Sequence, residues 1–235
     1  RKNDKTSSKI INLKKINTLS NPVKKKVKSD LKKIILIRKN FLKHVNFLKP
    51  SIMGILNFTP DSFSDGGKFN NLKKARTHIT NMINSGADII DVGGESTRPG
   101  SKTVLSNMEW KRIKNVVKNF RKKHKNTCLS IDTRKSEIMI KSIKHGANLI
   151  NDVSGFNFES QSLSKLKKYK IAKVLHHMKG TPTTMQKDPK YKNVLLDIYD
   201  FFEQKIKLLR RMGINHNNII LDPGIGFGKN LKHNM

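Results

Sequence analysis

Acidic side chains are scarce in this sequence: 17 Asp and Glu stand against 49 Lys and Arg, for a formal net charge of +32. Such a balance ordinarily brings nucleic acid or an anionic membrane into consideration as a partner. Aromatic residues are also few, at 6%, and none alternate with the basic residues as base stacking needs. The excess charge therefore reads as a Lys-, Asn- and Ile-rich composition laid on solvated helix faces, as at Lys111, Arg112, Lys114, Lys118, Arg121 and Lys122. No specific nucleic-acid partner is expected. A single cysteine, Cys128, excludes an internal disulfide and suits a reducing compartment. Beside an apolar strand it reads as a core thiol rather than a nucleophile, although His124 is near in sequence. No run approaches the ~18 to 20 apolar residues of a membrane span, and no secretory signal is present. A cytoplasmic protein with no membrane partner is expected.

The charge is unevenly spread. Residues 1–50 hold sixteen Lys or Arg against two Asp (Asp4 and Asp30), which is +14 of the +32. With few glycines or aromatics and one apolar patch at Ile34-Ile35-Leu36-Ile37, residues 1–49 read as a basic, disordered extension. A truncated upstream segment and a transit peptide are the other readings. The rest, 50–235, reads as one domain.

What that domain does contain is a repeated grammar. Ser51-Ile52-Met53-Gly54-Ile55-Leu56 is an apolar run that opens into Asn57-Phe58-Thr59-Pro60-Asp61-Ser62-Phe63-Ser64-Asp65-Gly66-Gly67, a loop far richer in polar groups than a connection needs. Five further apolar runs end the same way. They run into Asp91 to Ser101, Asp132-Thr133-Arg134, Asn151-Asp152-Val153-Ser154-Gly155, His176-His177-Met178-Lys179-Gly180 and Asp222 to Lys229. Helical patterns lie between them. Ser106-Asn107-Met108-Glu109 has capping-box spacing, with Trp110, Ile113, Val116, Val117 and Phe120 following on one face. Leu195 to Met212 is a second amphipathic helix, and Gly86, Gly146 and Gly213 fall where left-handed C-terminal residues belong.

Strand, loop and helix in alternation predict a parallel sheet with helices outside. No glycine-rich phosphate loop follows the first strand, which argues against a doubly wound sheet. Polar groups at nearly every strand end favour an α/β (β/α)8 TIM barrel, whose site is built from those loops. Six of eight β/α units are visible. Because the chain starts with Arg1 and the sixth strand ends shortly before Met235, a fragment at both ends is expected.

Asp132, Asn151 and Asp222 fall at or beside the ends of different strands, and two carboxylates with one amide suit the amino and amide edges of a heterocycle. Asp132 or Asp222 alone could equally cap the following helix or turn; the three together point to a ligand. Thr97-Arg98 and Lys229 supply hydroxyl and positive charge for an anionic group. Asn57 offers a hard oxygen for Mg²⁺ if substrate phosphate completes the shell, or it caps a turn. The run Gly224-Ile225-Gly226-Phe227-Gly228-Lys229 fails P-loop spacing, since Asn230 follows where Ser or Thr should. His176-His177 lack a third metal ligand at diagnostic spacing, and adjacent strand residues face opposite ways.

These loops, in order and spacing, resemble dihydropteroate synthases over residues 50–235, most specifically in Asn57 to Gly67 and in Asp91 to Gly100. The resemblance implies a barrel that joins a dihydropterin diphosphate to 4-aminobenzoate, with Mg²⁺ and release of diphosphate, in folate biosynthesis. By it, Asp132, Asn151 and Asp222 would hold the pterin, and Asn57 would contact the metal. Asp65 and Arg98 would be the catalytic residues of two loops that close over the site. Thr97, Pro99 and Phe227 would line the aminobenzoate pocket. Partners would be these small molecules and a second copy, as dimers are usual in the family. The family's basic groups after its seventh and eighth strands have no counterpart here, so this piece alone is expected to lack synthase activity. A corrinoid-dependent pterin methyltransferase shares the barrel and the pterin-facing groups but has no need of an aminobenzoate pocket. An inactive basic nucleic-acid-binding remnant is the reading from another class.

Overall fold

The structure, a computed structural model, describes residues 10–36, 42–59, 68–96, 101 and 103–235, with only the backbone described for 33–34 and 68–71. It divides into two units, 1–39 and 40–235.

In the first unit the expected disordered extension contains ordered turns. Leu13–Thr18 forms a 3-10 turn capped by the Asn12 side chain, and α1 spans Asn21–Ile35 with Pro22 in its first turn. Proline there pre-sets the backbone and forfeits no hydrogen bond. Val23, Val27 and Leu31 recur at four-residue spacing, and Lys26 pairs with Asp30 one turn on, at 2.7 Å. Those local signals outweigh the composition on which disorder was inferred.

The second unit is the barrel arc. Strands β1 (Met53–Asn57), β2 (Ile89–Gly93), β3 (Cys128–Asp132), β4 (Leu149–Asp152), β5 (Ala172–His176) and β6 (Ile219–Asp222) form one parallel sheet in sequence order. Between and after them lie α2 (Lys68–Asn84), α3 (Ser106–Lys123), α4 (Ser136–Lys144), α5 (Ser162–Leu166), α6 (Val194–Arg211) and α7 (Leu231–Asn234). Gly86, Gly146 and Gly213, at φ +101, +92 and +84, each turn the chain after α2, α4 and α6. Among the described residues β1 and β6 each pair on one side only, and Ile55 and Leu221 stand 59% and 45% exposed there.

Register sorts every strand residue onto one of two faces. Leu56, Ile90, Val92, Leu129, Ile131, Ile150 and Leu175 face outward into a core shared with Ile79, Ile113, Val117, Ile138 and Leu209 of the helices and loops. The inner face changes character along its height. At the N-terminal end it is apolar, with Met53, Ile89, Cys128, Leu149, Ala172 and Ile220; at the C-terminal end it carries Asn57, Gly93, Asp132, Asn151, His176 and Asp222. Burial raises the Cys128 thiol to about 12, as an inert core thiol requires.

The apolar floor is closed by Leu42 and Val45, 2% and 3% exposed, which pack on Ile89, Cys128, Leu149, Ala172 and Val174. The barrel unit thus begins near residue 40 and not 50. Nor does the capping box form at α3. Leu105 stands at the N-cap without a side-chain bond, and Glu109 turns inward to Thr133 and Lys135. A buried cation is a stronger partner for a carboxylate than a solvated backbone N–H.

Candidate active site at the C-terminal ends of the strands

The convergence of strand-end groups follows from the register. Asn57, Gly93, Asp132 and Asn151 are consecutive partners across β1 to β4, and His176 is opposite Asp222 across β5 and β6. Gly93 is the gap in this row. A Cβ there would stand 3.3 Å from Asp132 Oδ2 and 3.6 Å from Asn57 Oδ1, so its absence leaves room for a ligand group between those oxygens.

Three buried oxygens on the inward side of this wall have no protein partner: Asp132 Oδ1, Asn151 Oδ1 and Asp91 Oδ1. Unpartnered buried acceptors are costly, and their concentration at one place marks a site awaiting N–H donors. Burial raises the Asp132 carboxyl well above the usual range, and Asp91, Asp152, Glu109 and Glu95 add to the effect. Asp91, which faces inward two residues below Gly93, is raised by burial, against the opposing hydrogen bond from Asn151. Burial likewise lifts Asp152 to about 6, while its Oδ1 accepts from the Ser154 amide and hydroxyl at 2.8 and 2.6 Å. A ligand edge rich in N–H donors relieves Asp132; Asp91 lies one inward step below it, and Asp152, level with Leu175, faces outward.

At β6 Asp222 fixes the turn through one oxygen and leaves the other without a close partner. Its Oδ1 accepts from Gly224 N at 2.8 Å and fixes the turn, while Oδ2 lies 4.0 Å from His176 Nε2 on a side chain that is 45% exposed. The turn tolerates only glycine at 224, where φ is +67 and a Cβ would meet the His177 carbonyl at 2.1 Å. Phe227 stands edge-on to His176, with ring centres 4.7 Å apart.

Lys229 departs from its expected role as an exposed cation at the mouth. It is 4% exposed, and its Nζ meets His177 Nδ1 at 3.0 Å, Gly224 O at 2.9 Å and Phe227 O at 3.1 Å. Burial lowers it to about 8, and burial with the Lys229 charge lowers His177 to about 4. This lysine holds the loop that carries Phe227; it is not offered to an anion.

A second buried network stands beside β3. Glu95 accepts from Val104 N at 2.7 Å, from Arg134 Nη2 at 3.0 Å and pairs with Lys135 at 3.1 Å; Lys135 also pairs with Glu109. Burial pushes Glu95 up, but these donors outweigh it and its carboxyl ends below the usual value. Of the remaining expected site residues, Asp65, Thr97, Arg98 and Pro99 lie outside the described residues. Among the described residues no group of three or more His, Cys, Asp or Glu could hold a metal ion, and no helix is long and apolar enough to cross a membrane. A cleft of about 350 Å³ lies at the opposite end, lined by Leu42, Asn148 and Ala172 among others. None of the strand-end polar groups lines it, so unpartnered polar atoms locate the site better than volume does.

Residues 53–235 match the model of the pterin binding enzyme family. The chain belongs to that family. Among curated relatives of this pterin-binding chain, the dihydropteroate synthase of Escherichia coli K12 is 45% identical over 185 residues, 79% of this chain and 65% of that protein. The Yersinia pestis dihydropteroate synthase, solved in a sulfonamide drug complex, superposes with a TM-score of 0.75 at 43% identity over 81% of this chain and 68% of that one. The Burkholderia cenocepacia synthase, complexed with 7,8-dihydropteroate, superposes at 0.68 and 37% identity over 79% and 62%. The six-stranded pterin-binding arc is thus the parallel α/β architecture of TIM-barrel synthases, and the chain spans about 65% of the length of the curated relatives.

Proposed function

We propose that this chain supplies the pterin-binding part of a dihydropteroate synthase, the transferase that condenses 6-hydroxymethyl-7,8-dihydropterin diphosphate with 4-aminobenzoate. The observation that carries the reading is the set of unpartnered acceptors, Asp132 Oδ1 and Asn151 Oδ1, in the wall that ends at Asp222. A pterin presents an amino group and ring N–H groups along one edge, which match acceptors and would leave a donor-lined pocket unsatisfied.

In the reaction a C–N bond forms between the pterin's exocyclic methylene and the aromatic amine, the C–O bond to diphosphate breaks, and the amine loses a proton. No protein nucleophile is needed. Asp132, Asn151 and Asp222 orient the ring, so that its methylene points out of the mouth. Phe227, held against His176, offers an apolar edge to the aminobenzoate ring, with Thr97 and Pro99 assigned to the same pocket. Asp65 and Arg98 are assigned to loops that cover the reacting atoms and exclude water. Asn57 Oδ1, a hard oxygen beside the gap at Gly93, would serve as a protein ligand for Mg²⁺ held mainly by diphosphate oxygens and water. When bound, that ion would neutralise charge developing on the leaving group.

The test is equilibrium binding of the pterin diphosphate with Mg²⁺ and with chelator. Binding at least tenfold tighter with Mg²⁺ is expected. Equal binding in chelator removes the metal from the reading, and no binding in either removes the pterin.

A further inference from the structure

We infer that Asp91, which lies beneath the ligand level, fixes the Asn151 amide with its carbonyl oxygen toward the pocket and so makes the floor selective for an N–H donor at that point. The inference rests on the pterin reading, which does not include Asp91.

Asn151 is ambivalent by chemistry: turned one way it presents an acceptor to the ligand, turned the other way two N–H donors. Its neighbours decide between them. Asn151 Nδ2 donates to Asp91 Oδ2 at 3.0 Å, and the Asn151 Oδ1 that remains is buried and unpartnered. The reversed amide would lose that bond, setting Asn151 Oδ1 against Asp91 Oδ2 where the structure has an N–H donor on a carboxyl oxygen. Asp91 is 3% exposed and is level with Ser130 across β2 and β3, whereas Asn151 is level with Asp132 one inward step higher. Asp91 therefore acts through Asn151 as a positioning residue. On the ligand, the position that Asn151 reads distinguishes an amino group from a carbonyl.

Two commercial heterocycles separate these cases. Pterin carries the 2-amino group, and lumazine carries a carbonyl in its place. The wild-type chain should bind pterin at least tenfold more tightly than lumazine. In Asp91→Asn the neighbour can donate or accept, the bias on Asn151 is lost, and the ratio should narrow to within about threefold while the melting temperature stays within a few degrees. An unchanged ratio in a folded Asp91→Asn variant overturns the inference while leaving the pterin reading intact. Absence of pterin binding by the wild type overturns both. Should the variant not fold, side-chain amide NMR of the wild-type chain, assigned against Asn151→Ala, decides. Slowly exchanging, inequivalent Asn151 amide protons are expected from a bond to carboxylate, and fast exchange contradicts the inference.

Discussion

Lys229 illustrates how far a single side chain's role depends on what it touches. With an aliphatic stem in the loop and an ammonium shared by two carbonyls and His177, it fastens the turn after β6 from inside. Lys229→Met keeps the bulk but takes the ammonium from Phe227 O and His177 Nδ1, while Gly224 O retains only its bond from Phe227 N. At about 1 to 3 kcal/mol for an orphaned buried polar group, a loss of about 2 to 4 kcal/mol is expected in denaturant unfolding, with weakened aminobenzoate binding through Phe227. Wild-type stability in the variant would contradict the role. Asp152 gives a pH signature. Its folded value near 6 exceeds the ~3.9 of an unfolded Asp, so between those values the folded chain binds the proton that the unfolded chain has released. Its contribution to stability is therefore full below about pH 4 and is lost as pH rises through about 6. Asp152→Asn does not titrate and keeps an acceptor for Ser154. The melting temperature of the variant relative to wild type should climb between pH 4 and 7; a difference constant with pH would mean that Asp152 is ionised throughout.

At the scale of elements, the closing of the barrel floor assigns residues 42–49 to the folded unit. Leu42→Ala should cost about 2 to 4 kcal/mol, as truncation of a fully buried leucine does. A chain starting at Asn40 should melt cooperatively, and one starting at residue 50 should melt well below it; equal melting would show that Leu42 and Val45 contribute nothing to the core. The six strands were legible in the sequence because a sheet covered on both faces needs apolar runs, and the glycines after α2, α4 and α6 were legible because only a residue without a Cβ turns there cheaply. Leu42 and Val45 carried no such signal, being two apolar residues without a period. Glu109 was misread because its spacing from Ser106 satisfies a local rule, while its actual partners, Thr133 and Lys135, arrive 24 and 26 residues later. Nothing local announces a contact of that range.

At the scale of the molecule, the candidate site was legible as a set of strand-end loops because the barrel delivers every strand end to one mouth. Asp132, Asn151 and Asp222 needed only that topology and the alternation of faces. Asp91 went unread, although it sits two residues before Gly93 and so shares its face; in sequence it looked like one more polar residue at the start of a loop. Arg134, Lys135 and Glu95 were unread because their mutual burial depends on the register of β2 with β3. The proposed pterin site rests on acceptors on β3, β4 and β6. Titration calorimetry of pterin into the wild-type chain, Asp132→Asn and Asp222→Asn tests it most directly. A charge-assisted hydrogen bond to a buried ligand edge contributes about 1.5 to 3 kcal/mol, so each substitution should weaken pterin roughly tenfold to a hundredfold. The Asp222→Asn melting temperature should hardly move, since the turn-fixing oxygen remains. Unchanged pterin affinity in both variants, with a melting temperature lowered by several degrees, would show instead that these carboxylates only fix turns.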